Sequence, residues 1–334
     1  MTILLLPAVA HANFYTPQGP LTLRTQNPVY LQTITLLPAR AEVLPKGVLE
    51  LRVDSAYSNI FEKESTPAFG ENLDMELWRL GWVATYGVLP NMEVGIEVPL
   101  LHFDGGFLDS FIQNYHDFFG FPNGGRDQVA DDVYNYRVTR GGGLLYNAGS
   151  QKINLGDITL FSKHQLLHEG ELVPGLSWRF GFKIPSGDSE GGLGSGNAGF
   201  GFGVAMEKSY RRLHGYLNTN YLVDGGNNAF LNLMETPFFD YTLAGEYSFS
   251  EHTAAIVQLT GGTPRLKGTG LQTWDGIPMD FVIGVRGDNC FGRFAKPFFW
   301  QVGFSEDILA DGPSVDFSVL FSVGIRFNTA SKQH

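Results

Sequence analysis

Residues 314 to 327 read SVDFSVLFSVGIRF, and every odd position is apolar: Val315, Phe317, Val319, Phe321, Val323, Ile325 and Phe327. The even positions are Ser314, Asp316, Ser318, Leu320, Ser322, Gly324 and Arg326, polar or small except for one leucine. Successive side chains of a strand point to opposite faces, so this is a long strand with one apolar and one polar face. In a sandwich the apolar face turns inward against a second sheet. In a membrane barrel it turns outward against lipid, and the polar face lines the lumen.

The alternation recurs from about residue 46 to the end. In LSWRFGFKI the apolar set is Leu176, Trp178, Phe180, Phe182 and Ile184; in GFGFGVAME it is Phe200, Phe202, Val204 and Met206. Twelve strands are predicted, at 46–58, 73–86, 91–104, 154–168, 173–185, 198–209, 212–224, 238–249, 252–262, 279–288, 294–305 and 314–327. An even number is what a closed bacterial barrel requires.

The connections separate the two architectures. GVLPN, EGEL, YR and SE are short, while 59–72, 105–153, 186–197, 225–237, 263–278 and 306–313 are longer and rich in Gly, Asp, Asn and Ser. Short and long loops in alternation are the mark of a barrel with periplasmic turns and extracellular loops. A Greek-key sandwich has no reason for that rhythm. The expected fold is therefore all-β, a single antiparallel transmembrane barrel of about 12 strands.

Composition agrees. Charged residues make up 17% of the chain, against roughly 25% in a soluble domain, and there are 42 glycines and 27 phenylalanines. A net charge of −11 with no basic stripe excludes a nucleic-acid partner. The lone Cys290 excludes an intramolecular disulfide or a multi-cysteine metal site.

The chain starts MTILLLPAVAHA, where a short apolar run is followed by the small-x-small pattern of Ala10-His11-Ala12. Residues 1–12 read as a signal peptide whose basic start lies upstream of this text. Elsewhere there is no apolar run of about 18 residues, so no membrane helix is expected. Residues 13–45 carry Pro17, Pro20, Pro28, Pro38 and Pro45, which break any regular element. They form an N-terminal extension that lies beneath the barrel or plugs it; 46–327 is the barrel, and 328–334 a periplasmic tail. Val319 to Phe327 resembles the C-terminal signal read by the barrel-assembly machinery, although seven residues follow it.

Two stretches resemble known families. GDITLFSKHQLL, PGLSWRFGFKIPSGD and LGSGNAGFGFGVAMEKS (156–209) resemble outer-membrane barrels of the MetA pathway of phenol degradation. NPV (27–29) with LDSFIQNYHDFFGFPNGGR (108–126) resembles an uncharacterised family of Gram-negative exported proteins, known as a domain of unknown function. The resemblance implies an outer-membrane barrel in a Gram-negative cell and points toward small hydrophobic or aromatic compounds. Neither family supplies a catalytic residue.

In LDSFIQNYHDFFGFP, Leu108, Phe111, Tyr115 and Phe118 recur at helical spacing before Pro122 and two glycines. That amphipathic helix, in a loop of 49 residues, folds into the mouth as a gate or constriction, or lies on the outer leaflet. The gate is the expectation taken forward. His102, His116 and Asp117 nearby, and Asp127, Asp131 and Asp132, lack the spacing of a metal site, so no metal or cofactor is expected. Ser162 and His164 share the lipid-facing side of one strand without an orienting third group, and SGDSEGGLGSGN lacks the Gly-Lys-Ser/Thr ending of a phosphate loop. It reads as a flexible hairpin loop. No enzyme is expected.

The polar faces carry Arg52, Glu97, Arg179, Lys183, Glu246, Arg286 and Arg326, the expected pore lining. A bore of twelve strands falls between a filled eight-stranded lumen and an open porin. The expected function is a narrow channel or transporter for small molecules. The alternatives are a non-conducting structural or interaction barrel and, behind it, an outer-membrane lipid hydrolase. Outer-membrane lipid, the assembly machinery and an unnamed solute are the expected partners.

Overall fold

The structure, a computed structural model, describes residues 15–120, 125–225, 236–288, 298–309, 312–313, 315 and 317–329. Residues 1–12, Cys290 and most of the 328–334 tail lie outside the described residues. In chain order the strands begin with β1 (Val48–Ser65), β2 (Phe69–Leu89) and β3 (Met92–Asp104). Three short ones follow: β4 (Asn135–Arg140), β5 (Gly143–Asn147) and β6 (Gln151–Leu155). Then come β7 (Ile158–Leu167), β8 (Gly175–Ile184), β9 (Gly199–Tyr210) and β10 (Leu213–Asp224). The last five are β11 (Phe238–Ser248), β12 (Thr253–Gly262), β13 (Met279–Asp288), β14 (Phe298–Asp307) and β15 (Phe317–Asn328). The helices α1 (Pro28–Leu31) and α3 (Gln272–Asp275) are single turns, and α2 (Asp109–Phe119) has three.

The twelve long strands form a closed antiparallel barrel. Each pairs with its neighbour in sequence, β3 pairs directly with β7, and β1 closes on β15 from Val48↔Asn328 to Asn59↔Phe317. Closure leaves the barrel no unpaired edge, which lipid would not tolerate. The short turns 90–91, 168–174, 211–212 and 249–252 gather at one end and the longer loops at the other.

The period-two pattern sorts inside from outside. Trp82, Leu160, Phe180, Phe200, Phe239, Leu243, Val302 and Phe321 point outward and are exposed, while alternate neighbours such as Glu97, Arg179, Asn218 and Gln301 are buried. Outer rings meet across strands, as in Phe182–Phe200 at 4.9 Å, Tyr221–Phe239 at 5.1 Å and Phe180–Phe202 at 5.2 Å.

The first hairpin differs from expectation. β1 and β2 stay in register as far as Ser65↔Gly70, so the expected loop 59–72 is mostly strand. The long third connection is not all loop either: β4 pairs with the far end of β2 and with β5, and β6 continues along β3. The reason is burial. Ile60, Leu73, Met75 and Leu77 turn inward beyond the polar zone and pack with Leu31, Phe103, Tyr136 and Leu193 in one apolar cluster. A second cluster joins Val29 and Tyr30 to Phe69, Val138, Leu266, Leu271 and Trp274. Together they cap the long-loop end.

SGDSEGGLGSGN is packed rather than flexible. Leu193 enters the first cluster, Ser195 is fully buried, and Asp157 accepts from the N–H groups of Gly187 (2.9 Å) and Ser195 (3.1 Å).

Residues 15–45 form no strand. Their backbone runs against inward-facing side chains of β3 and β7 to β14, so the segment lies inside the barrel. It enters at the short-turn end, where the Tyr15 hydroxyl accepts from Arg212, and turns at α1. It returns to Gly47, which bonds Gly87. Asn27 caps α1 by accepting from Val29 N at 2.9 Å, and Pro28 needs no donor in the first turn.

Candidate functional site

A segment without secondary structure brings unpaired N–H and C=O groups into a closed space, and each must find a partner. The barrel wall supplies them. The N–H groups of Gln18 and Gly19 donate to Glu246 at 2.9 Å each, Leu21 N to Gln258 at 3.0 Å, and Thr22 N to Gln301 at 3.3 Å. On the returning limb Ile34 N donates to Asp224 (2.8 Å), Ala41 N to Glu207 (3.1 Å) and Leu44 N to Glu93 (2.6 Å). The carbonyls are held by cations: Pro20 by Arg286 (2.7 Å), Gln32 by Lys183 (2.5 Å), Leu37 by Arg179 (2.6 Å) and Arg40 by Lys163 (3.0 Å).

Two carboxamides imitate a paired strand. Asn218 accepts from Ala39 N at 2.9 Å and donates to Ala39 O at 3.0 Å; Gln258 does the same for Leu21, donating at 3.3 Å. Only an amide side chain carries both a donor and an acceptor in this form.

The wall also makes room. A Cβ on Gly181 would come 2.5 Å from Leu36 Cδ2, and one on Gly201 would come 3.4 Å from Leu36 and 2.9 Å from Leu222. The glycines of GFGFG face the segment while its phenylalanines face outward.

Each expected pore-lining residue lies on the inner face. Arg52 bridges Asp54 (2.8 Å) and Glu50 (3.3 Å), and Arg326 reaches Glu50 at 2.8 Å. Glu97 pairs with Arg79. Lys183 lies between Asp224 (2.9 Å) and Asp157 (3.3 Å), both fully buried. Arg179, Lys183, Glu246 and Arg286 all hold the inner segment, so these residues grip a chain where sequence reasoning placed them along an open path. Buried charges of both signs are tolerable because each is paired or bonded to backbone.

Between the two limbs a cavity of 540 Å³ opens at the short-turn end. Arg40, Arg52, Lys163, Arg286 and Arg326 face it, with Glu50, Glu93 and Glu97 among them. Its inner end is lined by Thr22, Thr35, Leu36 and Arg179, short of α1 and the apolar cap. At the cap the Arg265 guanidinium lies 3.7 Å over the Phe238 ring, and the Arg265 backbone N–H donates to the Tyr30 hydroxyl at 3.1 Å. Burial pushes its pKa below the ordinary value, with Asp240 at 3.8 Å pulling the other way.

The gate assigned to Leu108, Phe111, Tyr115 and Phe118 is a correction. Phe111 and Tyr115 pack against Phe317 at 5.6 and 6.3 Å, and Phe317 is on the outward face of β15. Phe118 is 81% exposed. The loop runs over the outside of the wall because Glu76 and Asn59, outward and buried, accept and donate there. Glu76 takes the N–H groups of Phe107 (2.8 Å) and Leu108, and Asn59 donates to Asp109 at 3.1 Å.

The remaining candidates resolve locally. Asp131 accepts from Ser110 and Gln113, and His102 meets Asp104 at 2.8 Å. His164 meets the Asn91 amide at 2.7 Å and the Trp178 ring at 5.6 Å, a turn contact rather than a carboxylate. Among the described residues no group of three His, Cys, Asp or Glu could hold a metal ion.

A family described as "Protein of unknown function (DUF3187)" matches residues 1–327. The chain belongs to the DUF3187 family. No curated protein matches it. Among solved structures it is similar to the COG4313 outer membrane channel from Pseudomonas putida F1, with 14% identity over 88% of this chain and 100% of that one, TM-score 0.55. The P. putida toluene transporter TodX is a fainter match, 10% identical over 91% and 92%, TM-score 0.38. The first likeness is one of fold, that of bacterial outer-membrane barrels; fold alone does not assign function.

Proposed function

We propose that this DUF3187 protein is a narrow channel or transporter for small molecules in the Gram-negative outer membrane, closed by its own residues 15–45. The short turns then face the periplasm and the cap faces outward, with outer-membrane lipid and the assembly machinery that reads Val319 to Phe327 as partners. The observation that carries the reading is how the inner segment is held. Its backbone is bonded by wall side chains and not by a strand ladder, so it can shift one contact at a time without opening the barrel. Each such bond is worth about 0.5–3 kcal/mol net.

The 540 Å³ cavity suits a small solute. The inner wall is polar below and apolar above, where Ile60, Leu73, Met75, Leu77, Leu101 and Phe103 pack together and close the long-loop end. That change supports small hydrophobic or aromatic compounds as cargo, in line with the phenol-pathway resemblance. A second reading, a non-conducting structural barrel, draws on the same dense bonding of the segment. Liposome swelling separates them: small aromatic alcohols should enter vesicles carrying the protein faster than sugars of equal mass. Equal, protein-independent rates would favour the structural barrel.

A further inference from the structure

We propose that α2 is a membrane-interface helix, lying beside the barrel with its aromatic stripe in the boundary between acyl chains and headgroups of the outer leaflet. The proposal rests on the outer-membrane reading above, and it concerns a surface that the channel does not use. α2 divides its side chains three ways. Asp109, Ile112 and His116 are buried against the chain beneath. Ser110 and Gln113 bond Asp131. Phe111, Tyr115, Phe118 and Phe119, at i, i+4, i+7 and i+8, form one stripe, with Phe111 51%, Phe118 81% and Phe119 57% exposed.

The height of that stripe identifies its occupant. The register places Phe317 opposite Asn59, and Asn59 opposite Glu76. On the turn side of this level the outward residues are Tyr57, Trp78, Val319 and Phe321; at it stand Asn59 and Glu76, and beyond it come Asp74, Asn72 and Lys63, with Phe61 buried under the Arg126 guanidinium. The outer wall therefore changes from apolar to polar at the level where Phe111 and Tyr115 touch Phe317. From Phe317 to Phe327 the strand climbs about 33 Å, or about 25 Å across a membrane at a tilt near 40°, the height of a barrel's apolar band. The stripe continues the lipid-facing wall at its upper rim, where aromatic rings favour the interface. Arg126 paired with Asp109, its guanidinium 4.8 Å over the Phe61 ring, fixes the segment to the wall.

The test places a nitrobenzoxadiazole label at Phe118→Cys, in the full chain carrying Cys290→Ala, reconstituted in phosphatidylcholine vesicles. Phe119→Cys serves as a second position, Asn114→Cys as the solvent-side reference, and Phe202→Cys as the wall reference. Lipids brominated near the headgroup should quench the labels at 118 and 119 strongly, and lipids brominated near the chain end weakly, with Asn114 unaffected. Labels at 118 and 119 no more quenched than at 114, while 202 is quenched, would overturn the interface helix and leave the barrel reading standing. An unquenched 202 would overturn both. Self-quenching at 118 that disappears on dilution with unlabelled protein would assign the stripe to a second copy and overturn the proposal.

Discussion

Asn218 holds the N–H and the C=O of Ala39 at once, and its Leu variant would strand both in a closed lumen. Leaving each unsatisfied costs about 1–3 kcal/mol. Asn218→Leu should therefore make residues 15–45 cleavable by added protease in micelles at a rate well above wild type, with Asn218→Asp in between. Equal cleavage in all three would mean that the amide does not hold the segment. Gly181 gives a sharper case, because the obstacle is one named side chain. Gly181→Val should loosen the segment in the same assay, and Leu36→Ala should restore it by removing the atoms a branched side chain would strike. The alternation of GFGFG and the outward side of its phenylalanines could be read directly. Why the other positions are glycine could not, because the obstacles are Asp224, Leu222 and Asn220 on the neighbouring strand and Ile34 and Leu36 of the inner segment, all distant in sequence.

At the scale of elements, all twelve barrel strands follow from period two and loop rhythm, with ends shifted by a few residues. The misjudged parts share one cause. β1 and β2 run on past the polar zone, and β4 joins their far end, because the cap gives them a second apolar surface, and Leu73, Met75 and Leu77 read the same whether lipid or cap receives them. The helix at 109–119 was legible from its spacing, but its position was not. An amphipathic stripe fits a lumen or a leaflet equally well, and buried Glu76 and Asn59 on the outer wall decide between them. It follows that Phe111→Ala with Phe118→Ala should leave single-channel conductance unchanged. A rise in conductance in that double variant would return the gate to α2.

For the whole molecule, the polar lumen has two possible readings from sequence, a wet path or a socket for buried chain, since both need inward charges and amides. Carboxamides are the signal that separates them: Asn218, Asn220, Gln258 and Gln301 suit backbone better than ions, and a wall rich in them expects a chain inside. On this account the barrel and residues 15–45 are one device, a bore with its own occupant. Planar-bilayer conductance of the full chain, compared with the chain lacking residues 16–45, tests that claim most directly, provided that both run as folded, heat-modifiable barrels. The account predicts a closed or rarely open full-length protein and a steadily open, larger conductance without the segment. A folded barrel that conducts no better after the deletion would contradict it.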